Sequence, residues 1–190
     1  MIPSLESVRE QAAEKEYRPF QVLTHRNAVQ RHFEVPTLTR ALRLPVGARI
    51  LEVGCGPGNA LGALADRCRP SLLVGLDVDP ELLGAAKRSV ERDGVSATLV
   101  QGDVRRLPFE TESFDVVVDF GTCYHIADPE LALREVERVL VRGGVFAHET
   151  PLAQLAAHPV RSFGRMLPWG AAPRLRRDRT ALLWSSRVKQ

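Results

Sequence analysis

The residues best suited to chemistry are an acid and three glycines that follow a short apolar segment. Glu52 precedes Gly54, Gly56 and Gly58, and a helical pattern begins directly after them. Glycine has no Cβ, so such a loop can turn tightly and let a ligand approach the backbone closely. At the carboxyl end of a strand, this arrangement suits a nucleotide-like cofactor.

A second acid stands at the distance expected of a ribose-binding residue. Asp77 follows the apolar segment 72–76, about 20 residues beyond the glycine loop. A carboxylate can accept hydrogen bonds from both ribose hydroxyls. A nicotinamide fingerprint needs glycine or alanine where this chain has Asn59. The spacing therefore argues against a nicotinamide oxidoreductase.

Further segments extend this pattern in order along the chain. The loop that begins at Glu52 resembles motif I of the class I S-adenosylmethionine-dependent methyltransferases. Later segments resemble that family's ribose-binding segment, adenine-binding segment, fourth strand, and the helix and turn before the fifth strand. These segments are 75–79, 102–109, 113–119 and 133–144. The motifs are specific for the superfamily and say little about the substrate.

The resemblance implies S-adenosylmethionine as the cofactor and S-adenosylhomocysteine as its product. It places the ribose at Asp77, and the adenine beside Val78 and Asp103. Glu52 is expected either to support the loop or to reach the cofactor's ammonium group through water. The expected cofactor-binding residues are Glu52, Gly54, Cys55, Gly56, Gly58, Asp77, Val78, Asp103, Val104, Asp119 and Phe120.

His125 is the candidate catalytic residue. It lies just after the fourth predicted strand, where members of this family often carry histidines that face the acceptor pocket. A neutral imidazole can take a proton from an acceptor near pH 7. The alternative is that His125 shapes the pocket without transferring protons. His148 and Glu149 end the fifth predicted strand, and side-chain alternation is expected to turn only one of them inward.

The order of elements predicts an α/β chain with a Rossmann-like methyltransferase fold. Short apolar strands alternate with amphipathic helices, which indicates a mostly parallel, twisted sheet with helices on both faces. A final strand at 180–188 is expected to be antiparallel, and 151–173 is the least readable part. The other predicted strands are 49–53, 72–76, 96–101, 114–119 and 144–149, and the predicted helices are 58–67, 80–93 and 128–141.

Residues 1–46 are expected to form a helical lid ahead of a cofactor-binding core at 47–190. Helical patterns cover 5–16, 24–33 and 38–44, and prolines between them are expected to break the helices. In the resembling family such segments cover the cofactor and line the acceptor pocket. The candidate cleft residues are Tyr17, Phe20, Arg26, Asn27, Arg31 and Phe33.

Composition narrows the class of protein. A chain of 190 residues suffices for one well-buried domain. Cys55, Cys68 and Cys123 are widely spaced, which indicates free thiols, and no set of residues has the spacing of a metal site. No leader-like or membrane-length apolar segment is apparent, so a cytoplasmic location without membrane contact is expected.

The predicted activity is transfer of a methyl group from S-adenosylmethionine to an O or N atom of a small molecule. One alternative is an RNA methyltransferase, because 161–189 carries eight basic residues against one acid. The chain shows no appended RNA-binding module and no Asn/Asp-Pro-Pro-aromatic motif, so a small-molecule partner is preferred to nucleic acid. A second alternative is a cofactor-binding subunit without catalytic activity.

Overall fold

The computed structural model describes residues 28–153 and 166–190 of the chain. Its strands are β1 (Arg49–Val53), β2 (Leu72–Asp77), β3 (Thr98–Gln101), β4 (Phe114–Asp119), β5 (Leu140–Glu149), β6 (Leu175–Thr180) and β7 (Trp184–Lys189). Its helices are α1 (Val35–Leu42), α2 (Asn59–Cys68), α3 (Pro80–Arg92), α4 (Thr122–His125) and α5 (Pro129–Val139). Short 3-10 turns occupy Val104–Arg106 and Trp169–Ala171, and a π-helical turn, Gln30–Glu34, precedes α1.

All seven strands join one sheet in the order β3-β2-β1-β4-β5-β7-β6. Strands β1 to β5 are parallel, while β7 runs antiparallel to both β5 and β6. The chain moves outward in one direction from β1 to β3 and then returns to place β4 on the other side of β1. Ligands of such sheets bind at this switch point, outside the carboxyl ends of the central strands. The predicted α/β sheet is confirmed.

Both faces of the sheet are covered, which explains why its central strands are apolar without alternation. On one face, Leu51 and Val117 pack with α5 in a buried cluster. On the other face, Ile50 and Val116 pack with α1 and α2. The apolar clusters hold the sheet and leave its carboxyl edge for polar groups.

The predicted final antiparallel strand is confirmed, but its bounds shift. It is β7, which begins at Trp184 instead of 180, and Thr180 belongs to the preceding strand β6. The two strands form a hairpin that Ala181 closes by donating from its backbone nitrogen to the carbonyl of Trp184, 2.7 Å away. Strand β6 is an edge strand of exposed charges after Leu175, and its polarity hides it from an apolar strand pattern. Charged side chains protect an exposed edge from pairing with other chains.

Three other boundaries also shift. The predicted helix 128–141 ends at Val139, and β5 begins at Leu140 instead of 144. The early part of β5 pairs irregularly with β4, and its Gly143 has a φ of 77°. The predicted strand 96–101 begins only at Thr98. The apolar pattern of one segment cannot predict such irregular pairing, because the pairing depends on the neighbouring strand.

The described part of the predicted lid is helical from residue 28 to Leu42. Pro36 does not break this helix, and α1 begins at Val35 instead of 38, because proline is tolerated in a first helical turn. Arg31 pairs with Asp93, and Phe33 is half exposed. The predicted helix 5–16 and the candidates Tyr17, Phe20, Arg26 and Asn27 lie outside the described residues. The division into lid and core stays a prediction.

Candidate cofactor and acceptor site

The three glycines of the loop serve different purposes. Gly54 has a φ of 65°, and a Cβ there would lie 1.9 Å from the hydroxyl oxygen of Thr122. A Cβ at Gly58 would lie 3.0 Å from the Cβ of Ala86, so this glycine lets α2 approach α3. A Cβ at Gly56 would meet no atom of residues 28–153 and 166–190 within 4 Å. The loop is therefore packed at both ends and open to a ligand in its middle.

Asp77 connects the end of β2 to this loop. Its carboxylate accepts hydrogen bonds from the backbone nitrogens of Gly56, at 2.7 Å, and Asp79, at 3.0 Å. Burial raises the pKa of Asp77, although these backbone donors act in the opposite direction. Each carboxylate oxygen has a second lone pair for a ribose hydroxyl. Val78 is half buried beside it, and its carbonyl accepts from the Gln101 amide at 3.3 Å.

Glu52 is fully buried at the carboxyl end of β1, and neither of its carboxylate oxygens has a hydrogen-bond partner among residues 28–153 and 166–190. Burial raises its pKa well above the ordinary value, and the negative charges of Asp77 and Asp119 raise it further. An isolated buried carboxylate is unfavourable unless a cation or a proton neutralises it. The site therefore favours a positively charged ligand next to Glu52.

Asp119 and Phe120 follow β4 and hold the structure around the cleft. The buried Asp119 carboxylate accepts from the backbone nitrogens of Gly121, Thr122 and Cys123 at 2.6–3.2 Å. Burial raises the pKa of Asp119 despite these donors. Phe120 packs edge-to-face on Trp184, with ring centroids 5.8 Å apart. The Asp119 side chain is thus engaged by the backbone at the start of α4.

Asp103, the expected adenine ligand, already binds Arg105. Its carboxylate forms an ion pair with Arg105 at 2.6 Å and accepts from the Arg105 backbone nitrogen at 2.8 Å. Burial acts to raise the pKa of Asp103, but the Arg105 contacts together lower it below the ordinary value. Val104 is buried in the core. The sequence reasoning missed this ion pair, although Arg105 stands only two residues after the acid.

The residues described so far form the cofactor half of the candidate site. The acceptor half lies around α4. His125 is the last residue of α4 and is half buried. A recess of about 250 Å³ lies beside it, and Tyr124, Ile126 and Leu167 contribute to its lining. His125 is not among the lining residues. The sequence reasoning did not single out Tyr124, because no charge or motif marks it.

His148 and Glu149 are both buried at the end of β5, so the expectation that only one of them turns toward the cleft stays a prediction. Burial lowers the pKa of His148 to about 4. Tyr124 donates its hydroxyl to the Glu149 carbonyl at 3.1 Å, which ties α4 to the end of β5.

The cysteines are free and buried, as predicted. Burial raises the pKa of the Cys55 thiol in the glycine loop, and the negative charge of Glu52 raises it further. A thiol of this kind is not a nucleophile at neutral pH, since the thiolate is the reactive form. Within residues 28–153 and 166–190, no group of three or more His, Cys, Asp or Glu side chains could hold a metal ion. In the same ranges, no helix has the length and apolar character to cross a membrane.

The family described as a methyltransferase domain matches residues 51–148, a span that includes the glycine loop, Asp77, Asp103 and His125. The chain belongs to this methyltransferase family. The match covers more than half of the chain and contains every residue expected to bind the cofactor. The sheet order and this family together identify the predicted Rossmann-like methyltransferase fold.

Individual proteins of known sequence and structure agree with this assignment. The fatty-acid O-methyltransferase of Mycolicibacterium smegmatis is 36% identical over 102 residues, which are 54% of this chain and 36% of that protein. The phthiotriol/phenolphthiotriol dimycocerosates methyltransferase of Mycobacterium leprae is also 36% identical, over 54% of this chain and 37% of its own length. The chain thus spans about a third of the length of these relatives.

A solved structure shows the same architecture. The YcgJ protein of Bacillus subtilis superposes with a TM-score of 0.58 and 27% identity, over 62% of this methyltransferase-family chain and 50% of YcgJ.

Proposed function

We propose that this methyltransferase-family chain binds S-adenosylmethionine and transfers its methyl group to an O or N atom of a small, largely apolar molecule. One observation carries the proposal. Within the part of the chain that the structure describes, the buried Glu52 carboxylate has no hydrogen-bond partner, and it stands near the acids of β2 and β4, Asp77 and Asp119. S-adenosylmethionine carries a sulfonium and an ammonium group, so it supplies the positive charge that these acids lack.

The residues at the cleft fit the cofactor. Asp77 would take the ribose hydroxyls with its free lone pairs, and the backbone at Gly56 would lie against the methionine end. Glu52 would face the cationic groups. The cofactor supplies a methyl carbon already bonded to a good leaving group. The chain then contributes mainly by holding the acceptor in line with that carbon, which is worth roughly 7–11 kcal/mol in the best model reactions.

His125 is proposed as the group that removes the proton from the acceptor atom. It follows β4 at the carboxyl edge of the sheet, where the cleft lies. An apolar acceptor is supported by the relatives, which are named for fatty-acid and phthiotriol-lipid substrates. The recess beside His125 agrees with this choice, because Ile126 and Leu167 help to line it.

Titration calorimetry tests cofactor binding. We expect micromolar binding of S-adenosylmethionine and S-adenosylhomocysteine and no measurable binding of NAD. Binding of NAD without either sulfur cofactor would refute the proposal. Asp77→Ala is the matched variant, and it should weaken both sulfur cofactors.

Transfer is tested with radiolabelled methyl donor and a panel of long-chain fatty acids, alkylphenols, alkylamines and total RNA. We expect label in at least one small apolar acceptor and none in RNA at physiological salt. Cofactor binding without transfer to any acceptor would instead favour a non-catalytic subunit. Labelled RNA, with binding that weakens steeply as salt rises, would favour the RNA methyltransferase alternative.

A further inference from the structure

His148 is a buried side chain that the proposed reaction does not yet use. Only 3% of it is exposed. Its ring stacks on Phe146 with centroids 5.2 Å apart, and Trp169 lies tilted against it at 4.8 Å. The His148 side chain is thus fixed in position by an aromatic neighbour on two sides.

The hydrogen bonding of His148 defines which of its nitrogens carries a proton. Nδ1 lies 2.8 Å from the carbonyl oxygen of Glu149. A carbonyl oxygen can only accept, so Nδ1 must be the protonated nitrogen. In the neutral ring, Nε2 is then a bare acceptor, and it is buried with no hydrogen-bond partner among the residues that the structure describes.

The surroundings of His148 keep the ring neutral. Burial is the main cause of its low pKa, and the positive charge of Arg187 lowers it further. The Arg187 guanidinium lies 3.6 Å from the centroid of the Trp169 ring, and Trp169 also contacts His148. The hydrogen bond to the Glu149 carbonyl opposes these two effects, because it favours the charged ring. His148 therefore offers a lone pair, and not a positive charge.

Two contacts connect His148 to residues that line the recess beside α4. Tyr124, which lines that recess, donates to the same Glu149 carbonyl that accepts from His148. Leu167 also lines the recess, and its carbonyl accepts from the backbone nitrogen of Trp169, whose ring contacts His148. Tyr124 and the turn at 167–169 thus lie between the His148 ring and the recess in this chain of contacts.

We propose that His148 binds the methyl acceptor: its Nε2 accepts a hydrogen bond from the hydroxyl or amine of an apolar molecule held in the recess. This inference rests on the proposed function. A buried polar atom without a partner is unfavourable, and a donor on the acceptor molecule would remove that penalty. Molecules of the same shape without a donor would leave Nε2 unpaired and bind more weakly.

The same contact would distinguish a hydroxyl acceptor from its product. In the transfer, the acceptor oxygen bonds to the methyl carbon while the carbon–sulfur bond breaks and sulfur keeps the electron pair. The hydroxyl carries a single proton, so its hydrogen bond to Nε2 belongs to the bound substrate; during the transfer that proton turns away from Nε2 and leaves to a base, for which His125 is proposed. The resulting methyl ether has no donor for Nε2, so it is held less tightly than the substrate.

The test uses phenol as the donor-bearing probe and anisole as its methyl ether. Protein labelled with ¹⁵N-histidine is saturated with S-adenosylhomocysteine and titrated with each probe, and His148→Gln assigns the His148 signals. We expect phenol to shift the His148 Nε2 resonance upfield, while the resonance of the exposed His32, on the π-helical turn before α1, serves as an internal reference. Anisole should leave Nε2 unchanged and bind about 10-fold more weakly, the equivalent of about 1.4 kcal/mol. Equal binding of both probes, or no shift of Nε2 with phenol, would overturn the inference.

Two variants separate binding from a structural role. His148→Gln places an amide oxygen near the position of Nε2, whereas His148→Asn keeps a donor near Nδ1 and removes the acceptor at Nε2. We expect Gln to retain phenol affinity within about threefold and Asn to lose about 10-fold. The opposite order, or equal losses, would show that only the contact with Glu149 matters. Calorimetry with S-adenosylhomocysteine tests the proposed function separately, because both variants should bind it like the wild type.

Discussion

The two halves of the cleft are built by different means. The cofactor half comes from the ends of neighbouring strands, at 52–58, 77–78, 103–104 and 119–120, and uses backbone groups together with carboxylates. The acceptor half joins three distant segments, at 122–129, 148–149 and 166–169. Buried acids gather in the first half, whereas the recess of the second is lined mostly by apolar side chains, with one acid, Asp128. The difference suits the proposed cationic cofactor on one side and the proposed apolar acceptor on the other.

Burial has the same physical effect in both halves. It raises the pKa of Glu52, Asp77 and Asp119, and it lowers the pKa of His148. Each group is thereby moved toward its neutral form. In the cofactor half a cation can restore the charged form, whereas in the acceptor half only hydrogen bonds are available.

The largest expected effect lies in the acceptor half. If His125 removes the acceptor's proton, His125→Asn should lower turnover by about 10²–10⁴ while cofactor affinity stays near normal. The acidic limb of the pH–rate profile should change with it. The measurement is steady-state methyl transfer as a function of pH, with calorimetry as the control. A small loss of turnover with an unchanged profile would give His125 a positioning role instead.

The next effect separates packing from ligand approach within the glycine loop. Gly54→Ala should lower the free energy of unfolding by about 2–4 kcal/mol, because the new Cβ meets Thr122 in a left-handed backbone conformation. Gly56→Ala should lose only about 1 kcal/mol of stability but most of its cofactor affinity. Gly47→Ala is the matched control, since Gly47 also has a positive φ and an open surrounding. Denaturant titration and calorimetry measure both quantities, and equal stability losses at 54 and 56 would remove the distinction.

A somewhat smaller effect is expected at Asp77. Asp77→Ala should weaken cofactor affinity by about 2–3 kcal/mol, because it removes charge-assisted hydrogen bonds and releases the Gly56 backbone nitrogen. Asp77→Asn keeps one carbonyl acceptor and should fall between the wild type and Ala. Calorimetry with S-adenosylhomocysteine measures the change, and thermal unfolding checks the fold. An unchanged dissociation constant in folded Asp77→Ala would show that another residue holds the ribose.

The smallest expected effect concerns the charge of the cofactor half. Glu52 has a raised pKa in the folded chain, so the stability it contributes is present at acidic pH and is lost as pH rises. Without cofactor, the free energy of unfolding of Glu52→Gln should therefore rise by about 1–2 kcal/mol relative to that of the wild type as the pH increases from 5 to 8. Denaturant titrations across this range measure the difference. A difference in unfolding free energy between the wild type and Glu52→Gln that does not change with pH would mean that Glu52 is ionised or solvated in the cofactor-free chain.

The cofactor half could be predicted closely from the sequence. Strand β1 and strand β4 match their predicted bounds, and Asp77 contacts the glycine loop as expected of neighbouring strand ends. These features depend on short stretches of sequence, since a glycine turn and an acid at the end of a strand can each be recognised from a few consecutive residues. The ion pair of Asp103 with Arg105 was not predicted, because the family motif marks the acid as a cofactor ligand and assigns no role to the arginine.

The amino-acid sequence by itself determined the fold, the family and the acids and glycines of the cofactor half. Only the tertiary structure decided that Gly54 packs against Thr122, that His148 and Glu149 are both buried, and that β6 and β7 form a hairpin. It also brought His148, Tyr124 and Trp169 together from three parts of the chain. The reason is physical: hydrogen bonding within one loop depends on neighbouring residues, whereas burial and side-chain stacking depend on which distant segments the sheet places side by side.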